Sequence, residues 1–296
     1  MLAPKALCAL ALALTMRATA EPICTEEDQQ AVHRLRNVLQ SGHASSFAAR
    51  AVVQTAVGAQ QIVVTRGMPD ANGTYSVEIP DHASDCNNLS HRLLIASESH
   101  CSVARWYKFQ LQHEVIGSEP VTIITALPKD VYRHGYQLVI DERNDIVLRS
   151  TTFNGTNALE NVELRALSIA VDEVSGTDPQ AAQGAVLGSD ESVELGDFDW
   201  AVSWTPAGFE QAARSANELA QMRTYTDGLS TFSIFVEFPK GEIRIGEGMV
   251  NRGATLAYTR GLHIGTQSVL VSVIGEIPIN TARMLVESLE WLHHAE

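Results

Sequence analysis

The sequence predicts an α+β protein of two domains, and three observations indicate this fold class. The chain has 296 residues, which is more than one ordinary hydrophobic core accommodates. Strand patterns follow one another without a helix between each pair, which favours antiparallel sheets over a parallel one. Residues 172–199 then hold eight acidic residues and no Lys or Arg. Such a segment is typical of a solvated linker between domains, with an acidic docking strip for a basic partner as the alternative.

The first twenty residues predict a secretory signal peptide. Lys5 precedes an apolar run at 6–15, and small residues at 18–20 fit a cleavage site after Ala20. The run is shorter than the roughly 20 apolar residues that span a bilayer. We therefore expect cleavage, export to the periplasm and no anchor; the alternative is a retained amphipathic or membrane helix.

The predicted elements of the first domain are one helix followed by a meander of strands. Thr25 can cap the helix, and Asp28 completes a capping box three residues later. The apolar stripe of this helix contains Val32, Leu35, Val38 and Leu39, and Gly42 can end it. Period-two patterns and turn residues predict strands at 61–65, 74–79, 92–96, 104–112, 120–126, 136–140, 147–153 and 161–171.

The predicted elements of the second domain are three strands and a final helix. The strands lie at 232–238, 256–259 and 267–275. Asn280 can cap the helix, whose stripe contains Leu285, Val286, Leu289 and Leu292. Residues 207–221 fit either a helix, by their Ala and Glu content, or an edge strand and a loop. The predicted boundaries are a signal peptide at 1–20, a first domain at 21–171, a linker at 172–199 and a second domain at 200–296.

Charge and motifs exclude several classes of function. With 21 basic and 35 acidic residues, the formal net charge is -14. This balance lacks the basic surface that nucleic acid requires, so we expect no nucleic-acid partner. The sequence contains no G-x-S-x-G, H-E-x-x-H or P-loop pattern. We therefore expect no enzyme, no cofactor and no metal centre.

Three cysteines remain after the predicted cleavage, and an oxidising compartment permits a disulfide. Cys86 and Cys101 are fifteen residues apart and are the predicted pair. Cys24 with Cys86 is the competing pair, since sequence alone does not fix connectivity. A metal site made of Cys86, His91, His100 and Cys101 is a further alternative, although its spacing matches no common zinc pattern.

Three blocks near the carboxyl end carry a resemblance to a known family. They are SWTPAGF at 203–209, YTDGLSTFSIFVE at 225–237, and VSVIGEIP at 271–278 followed by TAR at 281–283. In this order and spacing they resemble the C-terminal domain of the MucB/RseB family of periplasmic regulators of the envelope-stress sigma factor, sigma-E. YQLVID at 136–141, IVLR at 146–149 and LSI at 167–169 are similar to the end of the family's first domain.

The resemblance implies a specific architecture and role. The family's N-terminal domain is similar to the lipoprotein carriers LolA and LolB, a curved antiparallel half-barrel with helices, and its smaller C-terminal domain is α+β. Such a protein would bind the periplasmic domain of an anti-sigma factor and shield it from site-1 proteolysis. Lipopolysaccharide or mislocalised lipoprotein would release it, and it would form a homo-oligomer. The alternative is a periplasmic lipid or lipoprotein carrier without a regulatory partner.

Two sets of residues are the candidate sites. Apolar side chains of the first-domain strands are candidates for a lipid cavity, with ordinary core packing as the alternative: Trp106, Phe109, Ile123, Leu138, Leu148 and Phe153. A predicted turn and a glycine-rich loop in the second domain supply candidates for contact with the partner, with a structural turn and solvated arginines as the alternative: Tyr225, Asp227, Arg244, Arg252 and Arg260.

Overall fold

The computed structural model describes residues 24–41, 47–66, 101–169, 198–216, 220–241 and 243–293. The predicted signal peptide, the strands at 74–79 and 92–96, Cys86 and nearly all of the acidic segment lie outside these ranges. In the part of the chain described here, no helix has both the length and the hydrophobicity to cross a bilayer.

The described residues of the first domain form one α-helix and a seven-stranded antiparallel sheet. The sheet is open, with strand order β2-β1-β7-β6-β5-β4-β3. It is therefore a meander from β3 to β7, to which the β1–β2 hairpin adds beyond β7. The elements are α1 (Glu26–Ser41), β1 (Phe47–Thr55), β2 (Gly58–Arg66), β3 (Tyr107–Ile116), β4 (Glu119–Pro128), β5 (Gly135–Asp141), β6 (Val147–Asn154) and β7 (Asn157–Ile169).

Helix α1 begins where the sequence predicts. The Thr25 Oγ1 accepts a hydrogen bond from the Asp28 N–H at 3.1 Å, and Asp28 accepts one from the Thr25 N–H at 2.9 Å. This is the predicted capping box, and it satisfies donors that a helix start leaves free. Val32, Leu35 and Val38 are buried against β3 and β4, where they pack with Phe109 and Ile124.

The β1–β2 hairpin contains one strand, β1, that the sequence did not predict. The strand predicted at 61–65 pairs with β1 through a tight turn at Ala56 and Val57, so Thr55 lies opposite Gly58. No pattern predicted β1, because its Ala and Arg residues weaken the alternation that identifies a strand.

The described residues of the second domain form a six-stranded antiparallel sheet, a helix and a two-stranded sheet. The order of the larger sheet is β12-β13-β14-β11-β10-β9, and β15 pairs with β8. The elements are β8 (Phe198–Val202), β9 (Glu210–Ala216), β10 (Ala220–Thr226), β11 (Thr231–Glu237), β12 (Gly246–Arg252), β13 (Thr255–Ile264), β14 (Gln267–Gly275), α2 (Ile279–Glu287) and β15 (Leu289–His293).

The end of the chain differs from its prediction. Helix α2 has Pro278 at its N-cap position, without a side-chain cap, so the predicted cap Asn280 lies inside the helix, which ends at Glu287. The predicted helix residues Leu289 and Leu292 lie in β15, because Trp291 pairs with Trp200 of β8 in a separate small sheet. The ambiguous segment 207–221 forms the edge strand β9 and the start of β10, so tertiary pairing overrides its helix propensity.

The second core lies between the six-stranded sheet and α2. Phe232, Ile234, Val271 and Val273 are buried on the face that α2 covers together with Leu285. Phe232 stacks on Tyr225 with ring centroids 5.3 Å apart. The strand predicted at 232–238 is thus a central core strand of this domain.

We expect Phe232→Ala to lower the free energy of unfolding by about 3–5 kcal/mol, because the side chain is 1% exposed and its removal leaves a cavity. Ile274→Ala, in the neighbouring β14 at a position that is 40% exposed, is the control and should cost less than about 1 kcal/mol. Urea unfolding followed by tryptophan fluorescence measures both. Equal costs for the two variants would show that Phe232 is not a core residue.

Candidate functional site

A buried arginine joins the two domains. Arg133 lies in the loop between β4 and β5, and its side chain is 0% exposed. Its guanidinium donates to Asp227 of the second domain at 2.9 Å and to the Ala207 carbonyl at 2.6 Å. It also donates to Asp130 of its own loop at 3.1 Å. A fully buried charge is stable only when it is paired and hydrogen-bonded, and these partners meet that requirement.

Three aromatic rings surround the same guanidinium. The Arg133 Cζ lies 5.2 Å from the Trp106 ring centroid, 5.7 Å from that of Tyr107 and 5.1 Å from that of Phe209. Trp106 and Tyr107 belong to the first domain and Phe209 to the second. At these distances the ring faces attract the cation, and the effect is stronger where water is excluded. The arginine therefore holds aromatic side chains of both domains together.

Asp227 receives hydrogen bonds from both domains. The Tyr107 hydroxyl donates to it at 3.0 Å, and the N–H groups of Leu229 and Ser230 donate at 2.9 and 2.8 Å. Burial raises the pKa of the Asp227 carboxyl, while the Arg133 guanidinium opposes that shift. Burial, together with the Asp227 charge, raises the pKa of Tyr107 well above its usual value. The predicted partner-facing turn is thus an interdomain turn, and Leu229 packs in the first-domain core.

His134 is a second buried polar group at the junction. The residue is 3% exposed, and its ring hydrogen-bonds the backbone of Ile277 in the second domain. Its Nδ1 has no hydrogen-bond partner among the residues of the structure. Burial lowers the pKa of His134 to about 4. The folded junction therefore contains a neutral imidazole at neutral pH.

The loop that carries Arg133 and His134 makes further contacts with the second domain. The Thr281 hydroxyl of α2 donates to the Tyr132 carbonyl at 3.0 Å. The Tyr132 ring packs edge-on against Trp204, with centroids 5.3 Å apart. At a separate point, the Ala254 N–H donates to the Glu160 carboxylate at 3.4 Å. Glu160 belongs to β7 and lies opposite Thr152 of β6, which itself lies opposite Tyr136 of β5. The contacts with the second domain therefore lie at one end of the first sheet, where β4 ends and β5 begins.

A cavity of about 280 Å³ lies beside this junction. The first-domain wall is the turn around the short 3-10 helix Val103–Arg105, and the second-domain wall is the start of β9 and the turn after β10. Gly208, at φ +90, lies against the Trp106 indole, where a Cβ atom would clash. The lining of the cavity includes both apolar and polar groups: Arg105, Trp106, Glu210, Gln211 and Thr226.

A disulfide fixes the first-domain wall of this cavity. Cys24, before α1, is bonded to Cys101, before the 3-10 helix. The predicted Cys86–Cys101 pair and its competitor Cys24–Cys86 are therefore both wrong, because a separation of 77 residues gave no reason to prefer the real pair. Closing so long a loop contributes roughly 4 kcal/mol in the chain-entropy model.

The lipid-cavity candidates lie on two faces of the first sheet. Phe109 and Leu138 are buried under α1, and Trp106 packs against the edge of that core. Ile123 and Leu148 lie in a separate cluster on the opposite face. Phe153 lies against Gly135, where a Cβ atom would meet its ring. The structure thus divides the six side chains among separate places rather than around one cavity.

The partner candidates are also separated. Tyr225 is 8% and Asp227 is 7% exposed, so neither is available at the surface. The predicted arginine-rich loop is a hairpin: Arg252 ends β12, Arg260 lies within β13, and Arg244 is exposed before β12. Arg260 lies opposite Glu247 and Arg252 opposite Thr255, which places the two side chains on opposite faces of the hairpin.

Sequence reasoning missed Arg133, His134, Tyr107 and Tyr132. The signal in the sequence was weak: a charged and aromatic loop between two confident strands, at 129–134. Loops are usually exposed, so this composition alone does not indicate burial. Within the described ranges, no cluster of three or more His, Cys, Asp or Glu side chains could hold a metal ion.

Comparison with known proteins places both domains in one family. The model of the MucB/RseB N-terminal domain matches residues 36–183, and that of the MucB/RseB C-terminal domain matches residues 194–290. The sigma factor AlgU regulatory protein MucB of Pseudomonas aeruginosa is 25% identical over 63% of this chain and 61% of its own. The sigma-E factor regulatory protein RseB of Haemophilus influenzae is 27% identical over 57% of this chain and 54% of its own. The matched region thus spans little more than half of each relative.

Solved structures share the fold across both domains. A crystal structure of MucB in complex with MucA(peri) superposes with a TM-score of 0.61 at 20% identity, covering 90% of this chain and 100% of that one. The complex structure of Pseudomonas aeruginosa MucA/MucB gives 0.57 at 19% identity over the same shares. These likenesses show a common two-domain architecture.

Arg133→Met should lower the free energy of unfolding by about 3–5 kcal/mol, because it leaves the buried Asp227 charge without its cation. Adding Asp227→Asn should recover part of that loss, since the neutral amide has no charge to compensate. Arg165→Met, which removes an exposed ion pair with Glu163, is the control and should cost less than about 1 kcal/mol. Urea unfolding curves of Arg133→Met, Asp227→Asn, the double variant and Arg165→Met test the pairing. A double variant as unstable as the two losses added together would show that the residues act independently.

The buried His134 predicts a loss of stability in mild acid. Its pKa is about 4 in the folded chain against an ordinary 6.5. As the pH falls from 6.5 toward 4, the His134 imidazole binds a proton in the unfolded chain but not in the folded chain. The free energy of unfolding therefore falls by about 3 kcal/mol over this range. Urea unfolding at pH 7 and pH 5 should show a smaller loss in His134→Gln than in the natural chain. Equal losses would contradict this origin.

Proposed function

The chain belongs to the MucB/RseB family, and on that premise we propose that it is a periplasmic regulator of sigma-E. In this role it binds the periplasmic domain of a membrane-bound anti-sigma factor and shields that domain from site-1 proteolysis. Lipopolysaccharide or mislocalised lipoprotein then releases it. The observation that carries the proposal is that both domains match the family in order, from residue 36 to residue 290.

The fixed relation between the domains supports binding of a protein segment. Arg133 and His134 tie the loop before β5 to Asp227 and Ile277 of the second domain. A surface that spans two domains presents a constant shape only when their relative orientation is fixed. Preorganisation of this kind lowers the entropy cost of binding an extended partner. A MucB structure that shares this two-domain architecture was solved in complex with MucA(peri), which fits such a surface.

The first sheet supports a response to an acylated ligand. Apolar side chains are buried on both of its faces: Phe109, Ile124 and Leu138 under α1, and Val121, Ile123 and Val139 on the other. A sheet with two apolar faces offers two layers that an acyl chain can enter. Each methylene transferred from water contributes about 0.8 kcal/mol, so a few methylenes offset a moderate protein contact. We therefore propose that the first domain senses the lipid. We also propose that the protein forms a homo-oligomer.

Titration calorimetry of residues 21–296 with the periplasmic domain of the organism's own anti-sigma factor tests the proposed role. We expect a Kd of about a micromolar or tighter, weakened at least tenfold by lipopolysaccharide. A digestion with the site-1 protease should run more slowly in the presence of this protein, whereas a protein of similar charge from outside the family should not protect. Absence of binding, together with co-purified acyl chains, would favour the lipid or lipoprotein carrier instead.

A further inference from the structure

Among the residues that the structure describes, the two large sheets end at the strands β2, β3, β9 and β12. An edge strand presents main-chain N–H and C=O groups that can pair with another chain. Helix α1 occupies the edge of β3, because the Phe109 N–H donates to Asp28 at 3.1 Å and the Leu111 N–H donates to Glu27 at 3.2 Å. The first turn of α1 therefore covers the first half of this edge, at Phe109 and Leu111, while the second half of β3 is exposed.

The edge of β9 has no such cover among the residues of the structure. Strand β9 is the last strand of the six-stranded sheet, and five of its seven residues are exposed. The register shifts at one point, where Gln211 and Ala213 lie opposite consecutive residues of β10 and Ala212 has no opposite residue. Ala212 is thus a bulge residue, and bulges redirect side chains at functional edges.

The junction cavity opens beside this bulge. Glu210, Gln211 and Ala212 of β9 form one of its walls, and the Trp106 indole belongs to the opposite wall. At about 280 Å³ the cavity suits a single side chain rather than a larger ligand. The aromatic wall fits an apolar stem, and the carboxylate, amide, hydroxyl and guanidinium groups around it fit a polar tip. Amphipathic anchors such as tyrosine combine the two.

An open edge beside a side-chain cavity is the arrangement by which sheets recognise extended peptides. Main-chain hydrogen bonds along the edge give affinity, and a cavity for one side chain gives specificity. We propose that the outer edge of β9 receives an extended segment of the anti-sigma factor's periplasmic domain as a seventh strand, with one amphipathic side chain in the junction cavity. This inference rests on the proposed function and assigns a place to its partner.

The position of β9 explains why binding would depend on the domain junction. Gly208, just before the strand, lies against Trp106, and the Ala207 carbonyl accepts a hydrogen bond from Arg133. The start of the strand is thus attached to the first domain. The disulfide at Cys101 fixes the facing wall one residue before Ser102, which also lines the cavity. Both walls of the cavity are fixed before binding. The entropy lost on binding would therefore come mainly from the bound segment.

Ala212→Trp tests the site, because a large ring at an exposed bulge residue obstructs the cavity without disturbing the pairing of β9 with β10. We expect binding of the periplasmic domain to weaken at least tenfold with an unchanged melting midpoint. The matched control is Ala59→Trp, the same change at an exposed position of the edge strand β2, and it should bind like the natural chain.

Hydrogen exchange on the natural chain gives a second readout that needs no substitution. The amides of β9 should become protected when the periplasmic domain binds, whereas those of the β12 edge should not. If the natural chain binds, yet Ala212→Trp binds equally well and β9 stays unprotected, the edge site is wrong and the proposed function stands. If the natural chain does not bind at all, the proposed function fails and this inference fails with it.

Discussion

The arrangement of the two domains depends on the burial of one positive charge. Arg133 lies at the end of the first sheet, yet most of its partners outside its own loop belong to the second domain. If the domains separated, the guanidinium would exchange Asp227 and the Ala207 carbonyl for water, and Asp227 would lose its cation. A buried pair of this kind adds little net stability over apolar packing, but it strongly disfavours any arrangement in which one partner stays buried alone. Its effect is therefore on orientation, which is what a surface built from two domains requires.

The groups around Arg133 extend that constraint to the rest of the junction. Tyr107 is at once a core residue under α1, a ring beside the guanidinium and a donor to Asp227. Leu229, two residues after Asp227, packs into the first-domain core. A displacement of the turn after β10 would thus disturb both the polar pair and the apolar core. Because packed interiors do not deform gradually, such a junction has few intermediate positions.

Local signals in the sequence predicted the elements that local interactions determine. The capping box at Thr25 and Asp28 is confirmed, and so is the core strand around Phe232, whose alternation reflects burial on one face. The α+β class follows from the same patterns, whereas the family was predicted from the resemblance of the blocks at 203–209, 225–237 and 271–283. What failed depends on contacts between distant residues: the bond between Cys24 and Cys101, and the pairing of Trp291 with Trp200 that ends α2. The burial of Arg133 belongs with these failures, since a charge in a loop is normally exposed, and only the docked second domain removes it from water.

The treatment of the sheet edges links this architecture to recognition. Exposed edges invite unwanted pairing, and folds usually cover or disrupt them. Here the acidic residues that begin α1 serve two purposes, because Asp28 caps its own helix and also accepts from the backbone of β3. Within the described ranges, no element covers the β9 edge at the bulge beside the junction cavity, where Glu210 and Arg214 add charge that disfavours indiscriminate pairing. Such an edge recognises the backbone of its partner by main-chain hydrogen bonds, and the adjacent cavity and charges recognise one of the partner's side chains. The same junction that fixes the domains thus fixes the geometry of the edge, and a ligand that loosened the junction would weaken recognition without touching β9 itself.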